Sequence, residues 1–259
     1  MSLVLTEIAP PLGTLVLNDM AKRNRLSAEL VEGLLAGFDQ LLAAKVRAVV
    51  LRAPSGAKVW SAGHDIGELS AVGRDPLGWS DHLRMLIRRI EDFPAPVIAL
   101  IEGGVWGGAC EVAMACDVIV ATPDVTFAIT PAKLGLPYNI SGLLTFMNAV
   151  PLPVVKEMLF SAKPIRAERA ERLGIVNHVV PADAVEAFVT DLAQTFADNA
   201  PLSIAVMKEE LRLLASAHAI SPRMFERIQG LRRVVYDSKD YEEGKRAFKE
   251  RRKPVFRGE

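Results

Sequence analysis

The stretch IEGGVWGGACEVAMACDVIVA, residues 101–121, decides how the rest of the chain reads. It starts as a buried-type apolar run, passes through Gly103, Gly104, Gly107 and Gly108, continues in small helix-compatible residues, and enters a second β-branched run at Val118. A strand thus meets a glycine turn and leaves it as a helix, and backbone of this kind bends sharply and approaches a ligand without an intervening side chain. Amides at the start of such a helix, with the positive end of its dipole, suit an anion or a developing oxyanion. A plain tight turn accounts for the same glycines equally well, and both readings stay open here. The spacing is neither Gly-x-Gly-x-x-Gly nor a phosphate loop, so no nucleotide motif is present. VWSAGHD, residues 59–65, echoes VWGGACE, residues 105–111, with Trp60 and Trp106 46 positions apart. That offset hints at a repeated strand-turn-helix unit, although two copies are thin support for a repeat.

On either side of this stretch, GTLVLN, VRAVVLRA, PVIALIEG, DVIVAT and GIVNHVV read as strands buried on both faces. Helices lie between them, one after Ser27 as N-cap with Leu30, Val31, Leu34, Phe38 and Leu41 at helical spacing, another after Ser80 with Leu83, Leu86, Ile87 and Ile90. From about Pro181 the pattern turns entirely helical, with Ile204, Met207, Leu211 and Leu214 on one stripe. The expectation is an α/β core over residues 1–180 and a helical region over residues 181–259 that docks on the core or on a neighbouring subunit.

At 259 residues, half of them hydrophobic, the chain can bury a sizeable core, and its 31 basic and 31 acidic side chains cancel. Nothing in that balance points to a nucleic-acid or membrane partner. The first residues lack the basic flank and unbroken apolar run of a signal peptide, so a cytoplasmic protein is expected. Cys110 and Cys116 suit neither a disulfide nor a metal pair and read as buried free thiols on one helix. His82, His178 and His218 have no partners at metal-ligand spacing, so no metal is expected. His64, with no second histidine or acid spaced for a triad, reads as a loop histidine rather than a base.

Together, SAGHDIGEL, GGVWGGACEVAMACDVIVA and TPAKLGLPYNISG, in that order, with the closing FKERRKPVF, resemble the crotonase or enoyl-CoA hydratase superfamily over essentially the whole chain. Within it the chain is most similar to members that decarboxylate, through LRAPSGAKVWSAGHDI, LGLPYN and IAVMKEELR. The resemblance implies an α/β spiral of repeated ββα units with a C-terminal helical trimerisation region, assembled as a homotrimer or dimer of trimers. It implies an acyl-CoA thioester as substrate, with no separate cofactor, its carbonyl oxygen held by the backbone amides of His64 and Gly108.

It also places CoA along Ala62, Gly63, Asp65 and Ile66, with Lys22 or Arg23 near its phosphates and Phe248 and Arg251 at the adenine end. Arg25 stands where the family commonly has alanine. Hydratases of the family use two glutamates; the first matches Glu111, but the second position is Ala132, which argues against water addition. Tyr138, with Thr130, is instead expected to orient a substrate carboxylate, while Glu111 bonds that carboxylate, relays a proton or serves structure alone. The implied reaction is decarboxylation of a short 2-substituted malonyl-CoA, methylmalonyl-CoA first, through an enolate held in an oxyanion hole. The competing readings are hydration or thioester hydrolysis, and a non-catalytic acyl-CoA-binding subunit.

Overall fold

The computed structural model describes residues 2–68, 80–217 and 221–258. A hairpin of β1 (Val4–Ala9) and β2 (Leu12–Leu17) leads into α1 (Ala28–Ala43), which Ser27 caps by accepting from the Leu30 amide. Three successive units then repeat one design. The first is β3 (Ala48–Arg52), β4 (Val59–Ser61) and α2 (His82–Asp92); the second is β5 (Val97–Ile101), β6 (Gly104–Trp106) and α3 (Gly108–Ala115). The third is β7 (Val118–Ala121), β8 (Thr126–Ala128) and, after a short helical turn at Pro131–Leu134, α4 (Ile140–Ala149). The longer strand of each unit joins one sheet and the shorter strand a second, so the chain winds as a spiral of ββα turns.

α5 (Leu152–Ser161), β9 (Ile165–Arg166), α6 (Ala167–Arg172) and β10 (His178–Val179) follow, then α7 (Val185–Asp198), α8 (Pro201–Ala215), α9 (Pro222–Tyr236) and α10 (Lys239–Lys249). The larger sheet has the order β1-β2-β3-β5-β7-β10, the smaller β4-β6-β8-β9. From β2 to β10 the larger sheet is parallel, and its central strands alternate between two cores. Val49, Leu51, Val97, Ala99 and Ile101 pack with the buried faces of α1 and α2, whereas Val50, Ile98, Leu100 and Val120 pack under Val185, Val189 and Ala193 of α7. Coverage on both faces explains why these strands read as continuous apolar runs.

The echo of VWSAGHD and VWGGACE is the repeat itself: β4 and β6 are neighbouring parallel strands, and each ends at a glycine turn. Three local expectations are corrected. α2 is capped by Asp81, whose carboxylate accepts from the Leu83 amide at 2.9 Å, rather than by Ser80. Cys116 is the residue after α3 rather than part of it, though both thiols are buried and free. GIVNHVV contributes only the two residues of β10. His218 lies outside the described residues.

The last helices frame the site. Lys208 of α8 donates to the carbonyls of Ile90 and Ala95 and pairs with Asp117 at 2.6 Å, pinning that helix to the end of α2. Of the predicted α8 stripe, Ile204 is half-buried, whereas Met207, Leu211 and Leu214 are exposed. α10 meets the Pro131–Leu134 turn almost backbone to backbone, since a Cβ on Gly244 would lie 2.1 Å from the Leu134 carbonyl oxygen. No helix among the described residues is long and apolar enough to cross a membrane.

Candidate active site

The two glycine turns touch. A Cβ on Gly63, where φ is +84°, would fall 2.3 Å from the Trp106 carbonyl oxygen and 2.9 Å from the Gly108 nitrogen, so only glycine lets them close. A Cβ on Gly108 would in turn lie 3.4 Å from the His64 nitrogen. The His64 and Gly108 amides therefore stand side by side, the second at the first position of α3, where a helix has no internal acceptor to offer. Neither amide donates to a protein acceptor among the described residues. Their turn is held from below: Leu26 donates to the Gly63 carbonyl at 2.8 Å, Asn24 donates to the Trp60 carbonyl, and Ser61 donates to the Asn24 carbonyl.

Around this pair lies a small pocket of about 80 Å³. Its walls are largely apolar and include Ile66, Leu83, Leu136 and the rings of Tyr138 and Tyr236. Thr130 lies on its rim and is shared with a larger cleft of about 960 Å³ that runs outward past Ala62, Asp65, Ile66 and Phe248. Lys22, Arg23, Lys133, Lys245 and Lys249 edge the cleft, giving it a cationic border. Arg25 is also at that border and is tied to Asp65 at 2.9 Å. Phe248 reaches the cleft from α10 of the same chain; Arg251 sits beyond the helix, exposed and at φ +53°, and is not among the residues lining it.

Glu111, one turn into α3, has no exposed surface and does not line either space. One carboxylate oxygen pairs with the Arg84 guanidinium, and the other lies 3.0 Å from the Tyr138 hydroxyl. Burial pushes the Glu111 carboxyl up to about 7, against the lowering effects of Arg84 and of the Tyr138 hydrogen bond. The Tyr138 hydroxyl is also held well above its usual range, first by burial and then by the Glu111 charge. The Tyr138 ring packs edge-on against Phe146, with centroids 4.9 Å apart, and lines the pocket, so it links Glu111 to that space. Ala132 is exposed in the Pro131–Leu134 turn, so no second carboxylate stands opposite Glu111 at that position.

His64 lines both spaces, and its side chain is only 14% exposed. Its Nδ1 lies 3.0 Å from the Asp65 carbonyl oxygen and its Nε2 3.2 Å from Asp81 Oδ2. The burial of the ring works to lower its pKa, yet the Asp81 carboxylate and the Asp65 carbonyl together raise it above the usual 6.5.

Sequence reading missed Arg84, Asp81 and Tyr236. Arg84 had a visible sign: it falls inside the apolar stripe Leu83, Leu86, Ile87 and Ile90, and a charge on a buried face demands a buried partner. Asp81 was one residue from the expected cap. Nothing local announces that Tyr236, from α9, returns to the small pocket.

Residues 10–259 match the enoyl-CoA hydratase/isomerase family. Methylmalonyl-CoA decarboxylase of Escherichia coli is 49% identical over 237 residues, covering 92% of this chain and 91% of that protein. The fold superposes on a solved methylmalonyl-CoA decarboxylase complexed with 2S-carboxypropyl-CoA at TM-score 0.98, with 46% identity over 100% of this chain and 99% of the other. A second solved complex of methylmalonyl-CoA decarboxylase, with 2-nitronate-propionyl-CoA, aligns at TM-score 0.97 and 46% identity over 99% of this chain and 98% of the other.

Proposed function

The chain belongs to the enoyl-CoA hydratase/isomerase family, and from that premise we propose that it is a carboxy-lyase that decarboxylates methylmalonyl-CoA to propionyl-CoA and carbon dioxide. One observation carries the reading: the paired His64 and Gly108 amides open onto a small apolar pocket bounded by Tyr138, with Ala132 where a second acid would be needed to add water. The likeness of the chain to the E. coli decarboxylase supports the same substrate.

In this reading the thioester oxygen sits between the two amides and the substrate carboxylate stands perpendicular to the thioester plane. The C–C bond to the carboxylate breaks, its electron pair enters the carbonyl π system, and carbon dioxide leaves an enolate whose oxygen the amides hold. Preorganised donors of this kind are worth about 3 kcal/mol each in the transition state. No base is required. Weak solvation of the carboxylate among Leu83, Leu136 and Ile66 favours the loss of its localised charge.

Tyr138 orients the carboxylate, with Thr130 on the rim. A neutral Glu111 donates to the Tyr138 oxygen, which turns the phenolic hydrogen toward the pocket; an ionised Glu111 takes that hydrogen for itself. Glu111 therefore acts through Tyr138, and the same chain delivers a proton to the α-carbon once carbon dioxide has gone. CoA lies along the Ala62–Ile66 backbone, its phosphates near Lys22 and Arg23, with Phe248 against the adenine and Arg251 farther out. CoA is part of the substrate, and the reaction needs no other cofactor.

The exposed apolar residues of α8 fit a homotrimer or dimer of trimers, with residues 181–259 supplying the contact. The buried free thiols fit a reducing compartment such as the cytoplasm. The test is a substrate panel: purified protein should convert methylmalonyl-CoA to propionyl-CoA and leave crotonyl-CoA unhydrated. Hydration of crotonyl-CoA without decarboxylation would overturn the reading.

A further inference from the structure

Both nitrogens of the His64 ring face acceptors. Nδ1 is 3.0 Å from the Asp65 carbonyl oxygen, and Nε2 is 3.2 Å from Asp81 Oδ2. A carbonyl and a carboxylate have no hydrogen to give, so each ring nitrogen must carry its own, and a histidine with two N–H groups is an imidazolium. Asp81 is committed at its other oxygen as well, where it accepts from the Leu83 amide and caps α2. One carboxylate thus joins the start of α2 to the turn that presents the His64 amide.

The other charged groups around the ring are consistent with this. Glu68 adds a negative field from the Ile66–Glu68 turn while its carboxylate accepts from the Ala28 amide, and Asp65 is itself paired with Arg25. Gly108 of α3 and Leu83 of α2, which line the pocket beside His64, are uncharged. Lys22, Arg23, Arg25 and Lys133 line the same cleft as His64, but the charges with the largest effect on the ring are the carboxylates of Asp81 and Glu68.

We propose that Asp81 is a positioning residue that keeps His64 as an imidazolium beside the small pocket, so that the turn donating one oxyanion amide also presents the cationic half of an ion pair. That charge favours both the incoming malonyl-type carboxylate and the enolate oxygen that forms next to it. Its effect on rate rests on the decarboxylase reading above, whereas the charge on the ring does not.

The experiment combines nitrogen-15 NMR of the histidine rings with pH profiles of kcat and KM on methylmalonyl-CoA. His64→Gln assigns the His64 signals among the four histidines of the chain. In the wild type, both ring nitrogens should be protonated at pH 7, and kcat should fall as pH rises through the titration of that ring. The fall should be on the order of ten- to a hundredfold, as for a unit charge roughly 6–12 Å from the reacting oxygen at an effective dielectric constant near 20.

Asp81→Asn separates charge from capping, because asparagine caps a helix about as well as aspartate. Its amide can donate to Nε2, which leaves the neutral Nδ1–H ring. The variant should keep its thermal midpoint while the His64 titration and the break in kcat both move to lower pH. Glu111 titrates in the same range, so the break is assigned to His64 where it moves together with the nitrogen-15 titration of that ring.

A wild-type ring with a single proton at pH 7, or an Asp81→Asn variant with unchanged titration, would overturn the proposal. Should the variant not fold, the wild-type ring titration decides alone. A doubly protonated ring in a protein that leaves methylmalonyl-CoA untouched would uphold the charge assignment and sink the decarboxylase reading instead.

Discussion

Replacing Gly142 by alanine places a methyl group 2.3 Å from Tyr138 Cε1, 2.7 Å from its Cδ1 and 2.8 Å from Glu111 Oε2. Carbon atoms rest at about 3.5 Å or more, so the ring must retreat by about 1.2 Å. It cannot swing freely, because Phe146 packs against it. A shift of that size breaks the 3.0 Å contact between the Tyr138 hydroxyl and Glu111 and moves the hydroxyl away from its place over the pocket. Over-packing of this kind costs roughly 1–3 kcal/mol. Gly142 lies within α4, where alanine returns about 1 kcal/mol of helix propensity. The net loss of about 0–2 kcal/mol lowers the thermal midpoint by at most about 8 °C in a chain of this size. Turnover should suffer far more, since displacing a positioning group by about 1 Å costs on the order of 100-fold, or about 2.7 kcal/mol of barrier. The assay is the initial rate of propionyl-CoA formation at saturating methylmalonyl-CoA, beside a thermal melt of the same sample. A folded Gly142→Ala protein with kcat within threefold of wild type would refute the role assigned to Tyr138.

Tyr138→Phe keeps the ring but deletes the hydroxyl; kcat should fall on the order of 100-fold, while stability drops by about 1–3 kcal/mol because Glu111 loses a partner, and an equal kcat removes the tyrosine from the mechanism. Glu111 binds its proton more tightly folded, at about 7, than at its ordinary 4.5. Its contribution to stability is thus fullest below about 4.5 and is lost as pH rises toward 7. Glu111→Gln does not titrate, so the wild type's stability relative to this variant, read by urea denaturation, should decline across that window; a difference independent of pH contradicts the raised carboxyl. Phe248→Ala should raise KM for CoA thioesters with little change in kcat, as expected for binding shared by ground and transition states; a matching fall in kcat would place Phe248 in the chemistry.

The parts of the fold that could be read in the sequence are those with a long apolar signal. β3, β5 and β7 show as nearly continuous apolar runs, and β2 as a Leu- and Val-rich one, because α7 and the other helices cover both faces. α1 shows because its buried residues repeat at helical spacing over 16 residues. β4, β6 and β8 are three residues each, too short for any periodicity, and two of them were detectable only through the repeated tryptophan. Resemblance supplied what spacing could not, namely that the His64 and Gly108 amides face the same point. The inner layer of the site stayed hidden because it depends on contacts distant in sequence: Arg84 reaches Glu111 across 27 residues, and Tyr236 returns to a pocket opened by residues 62–66. A single-residue shift of the α2 cap, from Ser80 to Asp81, concealed the carboxylate that holds the His64 ring.

The central claim is that the bond broken joins the α-carbon to a carboxylate while the thioester survives. Methylmalonyl-CoA labelled with carbon-13 in its free carboxylate, incubated with the enzyme in heavy water, tests this in one mass spectrum. The account predicts labelled carbon dioxide and unlabelled propionyl-CoA carrying one deuterium at the α-carbon. Free CoA appearing with labelled methylmalonate would contradict it, because the bond cleaved would then be the thioester.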